Sequence, residues 1–193
     1  WKIVDDLSGE AGFMLMMIEI LQSMKDHTGA YRVYEKAAVR LPGDERLHRL
    51  ARRIDFDRKQ QRLAELSARG LDGLTPAEHF EKAELHREFQ EFESAIIHYQ
   101  RAAHDDALAL PAYGNMAVVM CERGMYDLAA ETIEPIELTR EIDQRHPDLK
   151  EMFYAVATAM EKQKRFADAL TIYKRIFRVD AAFRDVVDRL QRL

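Results

Sequence analysis

Apolar positions recur at helical spacing along most of the chain. Met14, Met17, Ile18 and Leu21 fall on one face of a 3.6-residue helix, as do Tyr113, Met116, Ala117 and Met120, and Phe153, Val156, Ala157 and Met160. Downstream of these stripes a second pattern places a small residue four positions before a bulky one. The pairs are Ala30 and Tyr34, Ala95 and Tyr99, Ala129 and Ile133, and Ala169 and Tyr173. Each unit reads as a helix, a short turn (residues 27–29, 122–125 and 162–165) and a second helix. A small residue lets the first helix approach closely, and the ring one turn on covers the contact.

The spacing of the pairs makes this a repeat. Ala129 lies 34 residues after Ala95, Ala169 lies 40 after Ala129, and Ala95 lies 65 after Ala30. The pattern resembles the tetratricopeptide repeat family, whose 34-residue unit runs W-x2-L-G-x2-Y, then A-x3-F, then P. Segment 34–45, YEKAAVRLPGDE, with Tyr34, Ala37 and Pro42, is similar to the family's second helix and closing proline. Departures are visible: Phe153, Tyr113, Met14 and His79 stand at the tryptophan position, Lys82 takes an apolar position of its first helix, and Ala107 and Ala181 replace later prolines.

The resemblance implies an all-α chain: a right-handed α-solenoid of antiparallel helix pairs, a superhelix closed by a C-terminal capping helix. The expected division is an N-terminal remnant of an upstream segment (1–10), repeats over 11–44, 76–109, 110–149 and 150–181, a basic helical connector or degenerate repeat over 45–75, and the cap over 182–193. In the connector Leu47, Leu50, Ala51 and Ile54 form a stripe, and Gly70 and Gly73 end it. A long helix and a degenerate helix pair both fit. Pro135 falls inside the second helix of the 110–149 unit, where it predicts a kink or restart, and the residues up to Pro147 predict a helix pair longer than its neighbours. In the cap, Val186, Val187 and Leu190 line one side.

Residues 13–21, FMLMMIEIL, are the most apolar run, but Glu19 interrupts it and a span needs about 20 apolar residues. Here Phe13 and Ile20 are expected to face a preceding element, Trp1, Ile3 and Val4 or an upstream repeat, while Leu15 and Met16 face a groove. The same apolar helix could support a homo-oligomer. A chain starting at Trp1 rather than Met reads as a piece of a longer polypeptide.

Composition narrows the chemistry. A net charge of -5 supplies no field for polyphosphate, and eight glycines and five prolines leave little for phosphate loops. Cys121 stands alone, which rules out an internal disulfide or a cysteine-based zinc cluster and fits a reducing, cytoplasmic setting. No His pair sits at i,i+4, so His27, His48, His79, His86, His98, His104 and His146 read as surface or turn residues. The expectation is no catalysis, no metal and no cofactor.

By the resemblance, first helices line a concave groove and hold a peptide or helix of a partner protein. The implied positions are Phe80, Glu84, Arg87, Asn115, Val118, Glu122, Glu151, Tyr154, Thr158 and Glu161. Of the Lys, Asn and Arg set by which some family members hold a C-terminal carboxylate, only Asn115 is matched; Phe80, Glu84, Glu151 and Ala155 stand at the other places. Carboxylates dominate the groove positions, so a basic and apolar segment is the expected ligand. Two other readings stay open: nucleic-acid or anionic-surface binding through the basic stretch 46–69, centred on Arg52, Arg53, Arg58 and Lys59, or a docking or regulatory domain of a larger enzyme or signalling protein.

Overall fold

A computed structural model describes residues 11–40 and 44–193. Segment 1–10, with Trp1, Ile3 and Val4, and Pro42 lie outside the described residues. Among the described residues the secondary structure is helical, without strands, and the chain divides after Ala68 into two compact units.

The first unit holds α1 (Ala11–Ser23), α2 (His27–Arg40) and α3 (Glu45–Ala68). Met14, Ile18, Ala30, Val33, Ala37, Leu47 and Ile54 form its core. Phe13 and Leu15 are half-buried and pack against that core, whereas Met16, Ile20 and Met24 are exposed. The turn falls earlier than residues 27–29 because Asp26 starts α2: its Oδ1 accepts from the Gly29 amide at 2.8 Å. A Cβ on Gly29 would collide with that carboxylate. Asp44 caps α3 in the same way, accepting from the Arg46 and Leu47 amides at 2.8 and 3.1 Å. From there α3 runs 24 residues as one continuous helix, not a helix pair.

The second unit holds α4 (Pro76–Glu88), α5 (Phe92–Ala102), α6 (Asp106–Glu122), α7 (Tyr126–Ile133), α8 (Arg140–Arg145), α9 (Leu149–Lys162), α10 (Phe166–Val179) and α11 (Val186–Arg192). Its N-terminal helix starts with a full capping box: Thr75 accepts from the Glu78 amide, Glu78 accepts from the Thr75 amide, and Pro76 occupies the first helical position. Successive helices pack through α4, α5, α6 and α7 and through α9, α10 and α11, and the first helices of successive pairs, α4, α6 and α9, also touch in order. Gly114 makes the last of these approaches close, since a Cβ there would meet Met152 and Leu149 of α9.

The small-residue notch is real in all four pairs: Ala30, Ala95, Ala129 and Ala169 are fully buried, with Tyr99, Tyr173 and Ile133 buried beside them. A second device repeats with it. Lys25, Gln90, Gly124 and Lys164, each five residues before its alanine, adopt left-handed φ of 58, 61, 77 and 62°. The following amide reaches back to the end of the first helix in every case: Asp26 to Leu21, Glu91 to His86, Met125 to Met120 and Arg165 to Met160, at 2.8–2.9 Å. This i+5 closure satisfies carbonyls that the helix end leaves open.

Three expectations are corrected. The second helix of the 110–149 unit is not extended: α7 stops at Ile133 after eight residues, two before Pro135, which cannot donate to the ladder. Arg175 of α10 takes over the carbonyls exposed there, donating to Ile133 at 2.9 Å and to Ile136, with its guanidinium 4.6 Å from the Phe153 ring. Tyr113 is exposed, with Ala112 taking the inward place. The cap is helical only from Val186, after a connection over residues 180–185; Val186 is buried while Val187 faces water.

Candidate functional site

The ten residues expected in the groove lie on α4, α6 and α9; Asn115 and Val118 are buried and the other eight are partly or fully exposed. Phe80 packs edge-on against Tyr99, centroids 5.6 Å apart. Tyr99 donates its hydroxyl to Glu84 across the α4–α5 pair, and Tyr173 donates to Glu161 at 2.9 Å and meets Thr158 Oγ1 at 3.2 Å across the α9–α10 pair. The ring that fills the notch therefore carries a phenol that ends on the first-helix face. Burial raises both phenols, that of Tyr173 to about 12, so both are neutral donors at pH 7.

Arg87 ties α4 to α6, with Nη2 2.9 Å from Glu122 and Nη1 3.4 Å from the Asn115 side-chain oxygen. Asn115 and Val118 are buried beside it and contribute to packing more than to an accessible surface. On α9, Glu151 pairs with Arg184, Tyr154 donates to Asp185, and Glu161 accepts from Arg189 Nη1 at 2.7 Å. Arg184 and Asp185 come from the connection after α10, and Arg189 from α11. Glu84, Glu122, Glu151 and Glu161 thus all have an intramolecular donor. Glu122, Glu151 and Glu161 are matched by cations 28 to 35 residues away in the chain, whereas the donor to Glu84 is the neutral Tyr99 phenol, which leaves its charge in place.

Between these groups lies an open cavity of about 410 Å³ lined by Tyr126, Glu151, Tyr154, Ala155, Thr158, Ala159, Lys162, Gln163 and Arg184. Three of the expected residues, Glu151, Tyr154 and Thr158, border it. Tyr126 and Arg184 were missed because one opens a second helix and the other follows the last pair. Only packing of α7 and of the 180–185 turn onto α9 brings them there.

The basic stretch of α3 is uneven. Arg52 and Arg53 are exposed, but Arg58 lies 4.2 Å from the Tyr31 ring centre and Lys59 pairs with Asp55 at 2.7 Å. Half of the expected patch is engaged within its own unit.

The histidines are not all surface residues. His79, His86 and His98 are buried in the α4–α5 pair together with Lys82. The Nδ1 atoms of His79 and His98 are 2.8 Å apart, so one donates and the other accepts, and His86 stacks on His98 at 5.3 Å. Burial, then the nearby charges of Lys82, His86, His79 and Arg101, lowers His98 to about 4. His86 meets Glu91 at 2.6 Å. Lys82 at an apolar position was the one sign of a polar pair interior. In α6, Cys121 is buried and its thiol is pushed up to about 11, far from a thiolate nucleophile at neutral pH. No group of three or more His, Cys, Asp or Glu among the described residues is arranged to hold a metal ion, and no described helix is long and apolar enough to cross a membrane.

No protein-family model matches the chain, and no curated protein matches it. Similarity to solved structures is broad. The crystal structure of MamA protein superposes with a TM-score of 0.53 at 19% identity, over 89% of this chain and 92% of that one. YrrB, described as a TPR protein with an unusual peptide-binding site, gives a TM-score of 0.53 at 14% identity, over 100% of this chain and 97% of that one. With the buried alanine notches and the repeated left-handed turns, these likenesses identify the fold as a tetratricopeptide-type α-solenoid.

Proposed function

We propose that the face formed by α4, α6 and α9 is a protein-interaction surface that holds a peptide or helix of a partner protein, without chemistry of its own. The cavity against Tyr126, Tyr154 and Ala155 carries this reading: it is an open recess with aromatic and methyl walls and polar groups at its rim, the composition that seats an apolar anchor side chain. The peptide-binding site named for YrrB supports the use of such a fold for segments of other proteins. Phe80, Glu84, Arg87 and Glu122 continue the contact surface along the unit.

Compensation of Glu122, Glu151 and Glu161 changes the expected ligand. A strongly basic segment finds less negative field than the sequence implies, so apolar burial supplies most of the affinity and any basic residue acts locally. Filling the recess tests the reading. Ala155 is exposed on α9, so Ala155→Trp adds bulk without entering the core. Partners captured from the source organism by the wild-type chain should be lost, or bound at least about tenfold more weakly, by this variant. Equal capture would move the binding surface elsewhere.

A further inference from the structure

We propose that Arg184 is a built-in competitor for this face, and that the partner segment it yields to carries a lysine or arginine beside a bulky apolar side chain. The inference rests on the reading of the α4, α6 and α9 face as a binding surface. Arg184 stands at the mouth of the cavity with its side chain about half exposed. Its Nε lies 3.3 Å from Glu151, a second guanidinium nitrogen pairs with the same carboxylate, and its charge sits 4.9 Å from the Tyr154 ring centre and 5.8 Å from that of Phe183. One carboxylate and one aromatic face on α9 thus form a seat for a cation, filled by the chain's own side chain.

The backbone sets this residue apart. Arg184 has a left-handed φ of 48°, a conformation costly for a residue with a Cβ and maintained where side-chain contacts hold it. Lys25, Gln90 and Lys164 share such angles, but in the repeated turns that end first helices; Arg184 lies between α10 and α11, where no repeat demands it. Its neighbours are anchored independently: Val186 is fully buried, and Arg189 holds Asp185 at 2.8 Å and Glu161 at 2.7 Å. The Arg184 side chain can therefore swing away while α11 stays docked. Doing so leaves Glu151 without its counter-charge and Tyr154 without its cation. A partner's cationic side chain restores both, and its apolar neighbour enters the recess at Tyr126 and Ala159. Exchanging one cation for another is nearly neutral electrostatically, so burial of the apolar side chain decides the outcome.

A phage-displayed library of 12-residue peptides, panned on the wild-type chain, Arg184→Gly and Arg184→Lys, tests this. Glycine removes the competing side chain and relaxes the left-handed backbone, so thermal unfolding should not fall. Arg184→Gly is expected to enrich peptides with Lys or Arg next to an aromatic or aliphatic residue, bound at least about fivefold more tightly than by the wild-type chain. Adding Glu151→Gln should abolish that gain, and Arg184→Lys should select as wild type does. Peptides from the glycine variant that lack the basic preference, or that bind wild type equally well, overturn the competitor; the binding face survives if Ala155→Trp weakens them. Peptides indifferent to Ala155→Trp, or no enrichment on any of the proteins, overturn both.

Discussion

The α4–α5 and α9–α10 pairs share a backbone plan and differ in what they bury. Both carry an alanine notch, a tyrosine four residues on whose hydroxyl reaches the first helix, and a non-glycine left-handed turn. Between α9 and α10 the filling is Phe153, Val156, Met160, Ile172 and Ile176. Between α4 and α5 it includes His79, Lys82, His86 and His98. The repeat therefore fixes where helices approach and turn, while the rest of the interface tolerates polar groups provided they find partners, as the paired imidazoles do.

The sharpest way to break the comparison is truncation. Phe153→Ala should cost about 3–5 kcal/mol, because the ring is fully buried and also carries Arg175 on its face; His79→Ala should cost less, about 1–2 kcal/mol. Urea unfolding followed at both pairs checks this, and equal losses would mean that the polar pair is packed as tightly as the apolar one. Overpacking comes next: Ala169→Leu and Ala95→Leu should each cost about 1–3 kcal/mol, with an unchanged melting temperature arguing against the notch.

Acidification separates the pairs without mutation. The folded state holds His98 near 4 against an ordinary 6.5, so the unfolded chain binds more protons between these values and stability falls as pH drops through 6.5 towards 4. His79 is shifted in the same direction by burial. Lys82, His86 and Arg101 add positive charge around the pair, against Asp72 near His79 and Glu91 on His86. From pH 7 to 5 the loss attributable to His98 should be about 2 kcal/mol. Hydrogen exchange should show it in α4 and α5 and not in α9 and α10, and His98→Leu should flatten the slope.

The smallest effects lie in the turns. Gly124→Ala should cost about 1 kcal/mol, whereas Gln90→Gly and Lys164→Gly should each gain about 0.5 kcal/mol after the extra freedom of glycine in the unfolded chain is counted. Loss of stability in the glycine variants would show that the side chains of Gln90 and Lys164 contribute more than their backbone strain costs.

Much of the fold was legible because its determinants are local. The apolar stripes of α1, α6 and α9 and the alanine-to-ring spacing act within a few turns of one helix. Errors had two sources: a local cap passed over, Asp26, which starts α2 ahead of the expected turn, and a distant residue, Arg175, which covers the carbonyls freed where Pro135 shortens α7. The site was legible as a list of helix positions but not as a charge distribution. Glu122 and Glu151 look unopposed on their own helices, and their cations, Arg87 and Arg184, sit 35 and 33 residues away.

By itself the sequence determined the helices, their pairing and the notches, since helical period, capping and side-chain volume are properties of short stretches. Tertiary structure decided which carboxylates keep their charge uncompensated, which histidines are buried and where an open recess remains. Those depend on distances and solvent access between helices, which fall off within a few ångströms and are set only when separate segments pack.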